Sequence, residues 1–120
     1  MPSPRGRATA AFAAVAVLSL VVLFSPSSPA PSWSFPHLDK VVHVSLFALL
    51  AGAARWRFGA GTAVLLAVCA YAPVSEVLQG WVLPERSADW HDVVADLSGT
   101  ALGWLLATRL LRPAPAATRA

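Results

Sequence analysis

Four long apolar runs, each broken by a short polar or proline-rich stretch, organise the chain. The first is Ala8 to Phe24, preceded by Arg5 and Arg7, and followed by a Ser/Pro-rich stretch from Ser25 that cannot continue a helix. The second is Val41 to Ala54, opened by Asp39 and Lys40 and closed by Arg55 and Arg57. The third extends from about Phe58 to Leu83, with Pro73 and Glu76 inside it. The fourth is Val93 to Leu111, with Asp96 near its start and Arg109 and Arg112 at its end. A helix needs about 20 apolar residues to span a bilayer. Runs one, three and four approach that length. The second must borrow Leu38 to Lys40, tilt, or lie in a thinned bilayer. The expectation is an all-α, small polytopic membrane bundle of about four transmembrane helices.

Composition agrees. The chain is 57% hydrophobic and 12% charged, whereas a soluble domain carries roughly a quarter charged residues. Its 120 residues make one domain. We divide it into a cytoplasmic N-terminus at 1–7, a transmembrane domain at 8–112 and a disordered cytoplasmic tail at 113–120. The net charge of +3 does not imply nucleic acid, because the arginines are scattered at the ends of apolar runs rather than gathered in a patch. Read as orientation signals, Arg5, Arg7, Arg55, Arg57, Arg109, Arg112 and Arg119 fall on one side, leaving Lys40 and Arg86 on the other. The positive-inside rule then puts both termini in the cytoplasm. All six acids, Asp39, Glu76, Glu85, Asp89, Asp92 and Asp96, fall in the outer half. Trp33, Trp81 and Trp90 suit an outer aromatic belt and Trp56 an inner one. The first run is also compatible with a cleaved signal peptide, but it exceeds the usual apolar length of one, so a retained helix is expected. Cys69 is the only cysteine, which excludes an internal disulfide and a CxxC metal site. It reads as a small buried thiol.

The chemistry lies in the outer half. Asp39, Lys40 and His43 share one face at the start of the second helix, and Phe47 continues that face. Ser75 and Glu76 lie toward the outer end of the third, each one turn from Gln79, and Pro73 should introduce a kink close by. Asp89, Asp92 and Asp96 run at spacings of three and four along the fourth, and Gly99 and Gly103 extend the stripe as a small-residue packing motif. Asp39 and Asp89 are both placed to be helix N-caps, and Asp92 to complement the helix dipole. His37 and His91 read as solvated loop residues. Glu76 and Asp96 resist such readings. Asp96 lies about 10 Å along the helix from Asp89, beyond the reach of a dipole effect. A charge inside a membrane helix costs about 2.5–3.5 kcal/mol and is normally paired or functional. The available partners are Lys40, His43 and Arg86. The expected solution is a buried network of Glu76, Arg86, Asp92 and Asp96 with Lys40 and His43. Acids outnumber cations in it, which favours one protonated carboxyl.

These blocks resemble the VanZ-like family. Its pattern of Asp-Lys-x-x-His-Phe is matched by Asp39-Lys40-Val-Val-His43-Val44, and Ser-Glu-x-x-Gln by Ser75-Glu76-Val-Leu-Gln79. Pro-x-Arg is matched by Pro84-Glu-Arg86. The last block, Asp-x-x-x-Asn-x-x-Gly-x-x-x-Gly, is matched by Asp92-Val-Val-Ala-Asp96-Leu-Ser-Gly99-Thr-Ala-Leu-Gly103. The resemblance covers residues 39–103 in order. Val44 stands where an aromatic is usual and Asp96 where Asn is usual, which adds a titratable group. The resemblance implies a cell-envelope membrane protein. The family is named after a protein associated with resistance to teicoplanin, a glycopeptide that binds cell-wall precursors. The name alone does not carry resistance to this chain.

Three functions compete. The first is a non-enzymatic protein of the bacterial plasma membrane, binding a lipid-linked or cell-wall-related ligand in an outer-face pocket of Asp39, Lys40, His43, Glu76, Gln79, Arg86, Asp92 and Asp96. Lys40, His43 and Arg86 would contact phosphate or carboxylate, Arg86 as a bidentate fork. The second is a membrane enzyme, a hydrolase or transferase on such a ligand, with His43 and Glu76 as candidate catalytic groups. No GxSxG, HExxH or P-loop supports it. No cofactor is assigned, although His43, Glu76, Asp92 and Asp96 offer mixed N/O ligation suited to zinc or manganese. The third is proton or cation movement along the acids, for which the inner half supplies no acid. Partners expected are membrane lipids and a second copy meeting through Gly99 and Gly103, with no nucleic acid.

Overall fold

The computed structural model describes residues 1–26 and 37–112. Four helices account for most of them: α1 (Pro4–Leu23), α2 (Leu38–Phe58), α3 (Thr62–Val82) and α4 (Trp90–Leu110). No strand occurs among the described residues. The loop expected before α2 falls mostly in residues 27–36, and Trp33, Arg119 and the expected disordered tail at 113–120 also lie outside the described residues.

The helix bounds differ from the apolar runs for local reasons. α1 opens early because Ser3 caps it, accepting from the Gly6 N–H at 3.0 Å, with Pro4 at a position where a missing N–H costs nothing. α2 has 21 residues against the 14 of its apolar run, since charged residues at both ends join the helix. At about 1.5 Å per residue it reaches about 31 Å, the thickness of a hydrocarbon core, so no thinned bilayer is required. The third run splits at Gly59, whose φ of +88° suits glycine. Phe58 therefore belongs to α2. α3 continues through Pro73 without interruption.

Three helices, α1, α2 and α3, are long and apolar enough to cross a membrane. The expected fourth, α4, is as long as α2 and α3 but does not join them by composition, because Asp92, Asp96, Ser98 and Thr100 fill its first half.

α2 is the central element and touches the other three. Its buried face, with Leu46, Phe47, Leu50, Ala51 and Ala54, meets Val68 and Ala72 of α3 and Leu23 of α1. Phe47 is fully buried and stacks on Tyr71, ring centroids 5.5 Å apart. Tyr71 Oη in turn lies 3.3 Å from Ser19 Oγ of α1. At the opposite end Phe12 meets Phe58 edge-on at 4.9 Å, and Arg57 Nε donates to Thr9 Oγ1 at 2.6 Å. α1 is thus packed along its length.

The closest approach is between α2 and α4, which run parallel. Gly99 and Gly103 are buried. A Cβ on Gly99 would overlap the Val44 carbonyl, and one on Gly103 the Ala48 carbonyl. Small residues permit this backbone contact, and tight packing drives helix association where water cannot. The glycine stripe is therefore filled from within the chain. A second copy meeting through Gly99 and Gly103, as the sequence suggested, would have to displace α2, so any such copy must use another face.

Candidate functional site

The helix directions bring the start of α2, the end of α3, the α3–α4 loop and the start of α4 to one end of the bundle. Asp39, Lys40, His43, Glu76, Gln79, Arg86, Asp89, Asp92 and Asp96 gather there. Arg5, Arg7, Arg55, Arg57, Arg109 and Arg112 belong to the other end. Trp81 and Trp90 are exposed near the acidic end and Trp56 near the basic one.

The rim of the cluster centres on Lys40. Its ammonium donates to Asp39 Oδ2 at 3.0 Å, to Asp89 Oδ2 at 3.2 Å and to Asp92 Oδ1. Asp89 is the N-cap of α4, accepting from the His91 N–H at 2.9 Å. Asp39 is not a cap: His37 holds that position in α2, with φ +68°, and Asp39 falls in the first turn. Bonds from the His91 backbone and ring, with Lys40 adding to them, hold the Asp89 carboxyl down at about 2. His37 and His91 are exposed.

Below the rim the cluster is shielded. His43, Glu76 and Asp96 are 5%, 4% and 0% exposed. His43 Nδ1 lies 2.7 Å from Asp96 Oδ1, and its Nε2 faces Asp92 Oδ2 at 3.8 Å. A carboxylate oxygen accepts, so the proton of a neutral imidazole sits on Nδ1 and Nε2 carries the lone pair. Glu76 Oε1 accepts from the Asp89 backbone N–H at 2.8 Å. Glu76 Oε2 and Asp96 Oδ2 are buried with no hydrogen-bond partner among the described residues. Burying a polar group unpaired is costly, more so for a charge.

Arg86 departs from the expected network, and Gln79, expected in the ligand pocket, turns away with it. Neither reaches a carboxylate among the described residues. Arg86 Nη1 donates at 2.7 Å, and Gln79 Nε2 at 2.5 Å, to the Leu23 carbonyl at the end of α1. The cause is the unsatisfied carbonyls that every helix C-terminus presents. Leu23 is 1% exposed, so protein donors must serve its carbonyl. Asp89 is the reverse case. Taken from sequence only as a cap, it also binds Lys40, and its i, i+3 spacing to Asp92 carried that signal.

The serines near the site and the cysteine are plain. Ser75 Oγ donates to its own helix at Ala72 O, 3.0 Å away. Ser45 and Ser87 are exposed. Cys69 is half-buried rather than buried.

Chemically, the site is a cup of five carboxylates and one imidazole served by one ammonium. It can accept hydrogen bonds or hold a cation. It has little to offer an anion.

A family model described as VanZ/LLP1 matches residues 8–112. No curated protein and no solved structure matches the chain.

Proposed function

The chain belongs to the VanZ/LLP1 family, and from that premise we propose that it is a bacterial envelope protein of the plasma membrane that binds a lipid-linked, cell-wall-related ligand at its acidic end without transforming it. In this reading all four helices span the bilayer, both termini face the cytoplasm and the acidic end faces outward. The six arginines at the opposite end support that orientation. The packing of α1 supports its retention as a span. The polar half of α4 is compatible with spanning because Asp96, Gly99 and Thr100 are turned inward and buried.

One observation carries the ligand reading. An apolar groove of about 650 Å³ starts beside the cluster, at Val44 and Ser45, and runs past Ala48 and Gly103 to Leu106 and Leu110. Its position suits a lipid tail whose headgroup lies at the rim. The headgroup chemistry differs from the sequence expectation. Lys40 is committed to three carboxylates and Arg86 to α1, so sugar hydroxyls or an ammonium group, donating to Asp39 and its neighbours, fit better than phosphate.

The test uses the full chain in nanodiscs and a fluorescent polyprenyl-linked disaccharide-peptide. Ser45→Trp obstructs the groove and Asp39→Asn weakens a half-exposed acceptor. Each should lower affinity at least tenfold with the melting temperature retained. Affinity unchanged in both would end the proposal. A link to teicoplanin-type resistance would follow from masking of that precursor, and an unchanged inhibitory concentration on expression would dismiss it.

The Asp96–His43 pair favours a second reading, a hydrolase or transferase acting on the same ligand. A carboxylate on Nδ1 orients an imidazole whose Nε2 can act as a base, and Glu76 is the second acid–base candidate. Product release from the same probe, abolished in His43→Gln, would establish it; an intact probe after prolonged incubation would dismiss it. Proton or cation movement has no support, since Phe47, Leu50, Ala51 and Ala72 close the bundle beneath the cluster.

A further inference from the structure

We propose that His43, Glu76 and Asp92 form a binding site for one divalent transition-metal ion of the zinc or manganese type, with Asp96 orienting the imidazole. These three residues each offer a ligand atom, and the three atoms lie within 4.8 Å of one another. They come from three different helices, so the convergence is tertiary and not a by-product of one helix face.

Charge distribution is the first argument. The one ammonium in the cluster sits at the rim and reaches Asp39, Asp89 and Asp92. It forms no bond to Glu76 or Asp96. The deeper half of the cluster therefore holds two buried carboxyls whose one charge partner is the His43 imidazole, and only when it is protonated. An uncompensated buried charge is strongly destabilising. A divalent ion between His43, Glu76 and Asp92 would supply the missing positive charge.

The second argument is the unpartnered oxygen. Glu76 fixes Oε1 on the Asp89 N–H and leaves Oε2 free, although the side chain is 4% exposed. Native structures rarely leave such an atom unserved. A carboxylate anchored through one oxygen and bare at the other is prepared to ligate.

The histidine is the third. Metal-bound imidazoles usually donate their second ring N–H to a carboxylate, which fixes tautomer and orientation. Asp96 makes that contact at 2.7 Å, turning the Nε2 lone pair toward Asp92 Oδ2 at 3.8 Å. Tetrahedral ligands at about 2.0–2.1 Å from zinc stand roughly 3.4 Å apart, so modest side-chain contraction closes the set. One nitrogen and two carboxylate oxygens suit zinc or manganese better than calcium, which prefers oxygen alone. Three protein ligands leave a position open.

Metal binding is measured without any lipid, so its outcome is separate from that of the ligand reading. The full chain is purified in detergent, stripped with a chelator and titrated with Zn²⁺, Mn²⁺ and Co²⁺. Calorimetry gives stoichiometry and Co²⁺ absorption reports the ligand field. One equivalent should bind. His43→Ala and Glu76→Gln should each weaken binding at least a hundredfold. Asp96→Asn should weaken it about 10–100-fold while retaining one equivalent. Glu85→Gln, an exposed acid outside the cluster, should bind as the parent does. Circular dichroism confirms folding of each variant, and Asp92→Asn replaces any that fails. No binding above that of a helical membrane protein without such a cluster, or binding indifferent to both His43→Ala and Glu76→Gln, would overturn the site.

Discussion

Gly103→Ala adds one methyl group at the closest point between α2 and α4. Its Cβ would overlap the Ala48 carbonyl oxygen and carbon, which are backbone and cannot rotate aside. Ordinary contact begins near 3.4 Å, so the two helices must separate locally by about 1 Å or more. A shift of that size weakens the site as well as the packing. Where the separation carries along α4 to Asp96, seven residues away, it lengthens the 2.7 Å His43–Asp96 bond toward the limit of hydrogen-bond range. Overpacking costs about 1–3 kcal/mol. Loss of a hydrogen bond to a charged group costs about 1.5–3 kcal/mol. Alanine regains about 1 kcal/mol of helix propensity. The net expectation is a loss of about 1.5–5 kcal/mol. Denaturant titration in mild detergent, followed by circular dichroism, measures it. Gly52→Ala is the control: its Cβ would meet only Gly103 O, at an ordinary 3.6 Å, so it should be neutral or slightly stabilising. Equal stability of Gly103→Ala and Gly52→Ala would refute the claim that the glycine stripe sets the helix spacing.

Arg86→Ala should cost about 1.5–3 kcal/mol and Gln79→Leu about 1 kcal/mol. The double variant should exceed their sum, because the Leu23 carbonyl then keeps no donor; strict additivity in the same titration would count against a shared acceptor. Tyr71→Phe removes a single 3.3 Å contact to Ser19 and should cost about 0.6 kcal/mol, the usual worth of a hydrogen bond between membrane helices; a loss above about 2 kcal/mol would mean that Tyr71 does more than this. For orientation, Cys69→Ser provides a cysteine-free background. Ser87→Cys should react with an impermeant maleimide in intact cells and Ala60→Cys only after lysis; the opposite pattern would invert the topology.

The number of helices was legible because apolar length and flanking arginines are local properties. The buried members of the cluster were legible for a related reason. Glu76 and Asp96 lie too far along their helices to be caps, so a cost had to be met somewhere. What could not be read was which cation meets which acid. Arg86 was the natural partner for Glu76 by charge and proximity in sequence. The structure gives it to Leu23 instead, a residue 63 positions away whose side chain carries no signal. The demand comes from a main-chain carbonyl, and every helix end makes the same demand. Only the placement of α1 decides which donor answers it. The apolar run of α4 gave its length, but not that its buried polar residues, Asp96 and Thr100, would be shielded by packing within the bundle.

Gln79 and Glu76 show how this placement serves the site. They are three residues apart on one face of α3, yet their duties separate. Gln79 joins Arg86 on the Leu23 carbonyl and ties α1 to α3 and to the loop before α4. Glu76 accepts the Asp89 N–H and ties the start of α4 to α3. The α3–α4 loop is thus held at Arg86 from one side and at Asp89 from the other. Asp92 and Asp96 follow Asp89 at spacings of three and seven on a rigid helix, so fixing Asp89 fixes both carboxylates against His43. Lys40 then closes the rim. The scaffold consumes the donors that sequence assigned to a ligand, Arg86, Gln79 and Lys40, and leaves acceptors facing inward. A site whose donors are spent on its own architecture is built to receive a cation or a hydrogen-bond donor. Glu76→Gln separates that role from the architectural one. The amide keeps a carbonyl oxygen for the Asp89 N–H, so the fold should persist, while the anionic oxygen turned into the cup is lost.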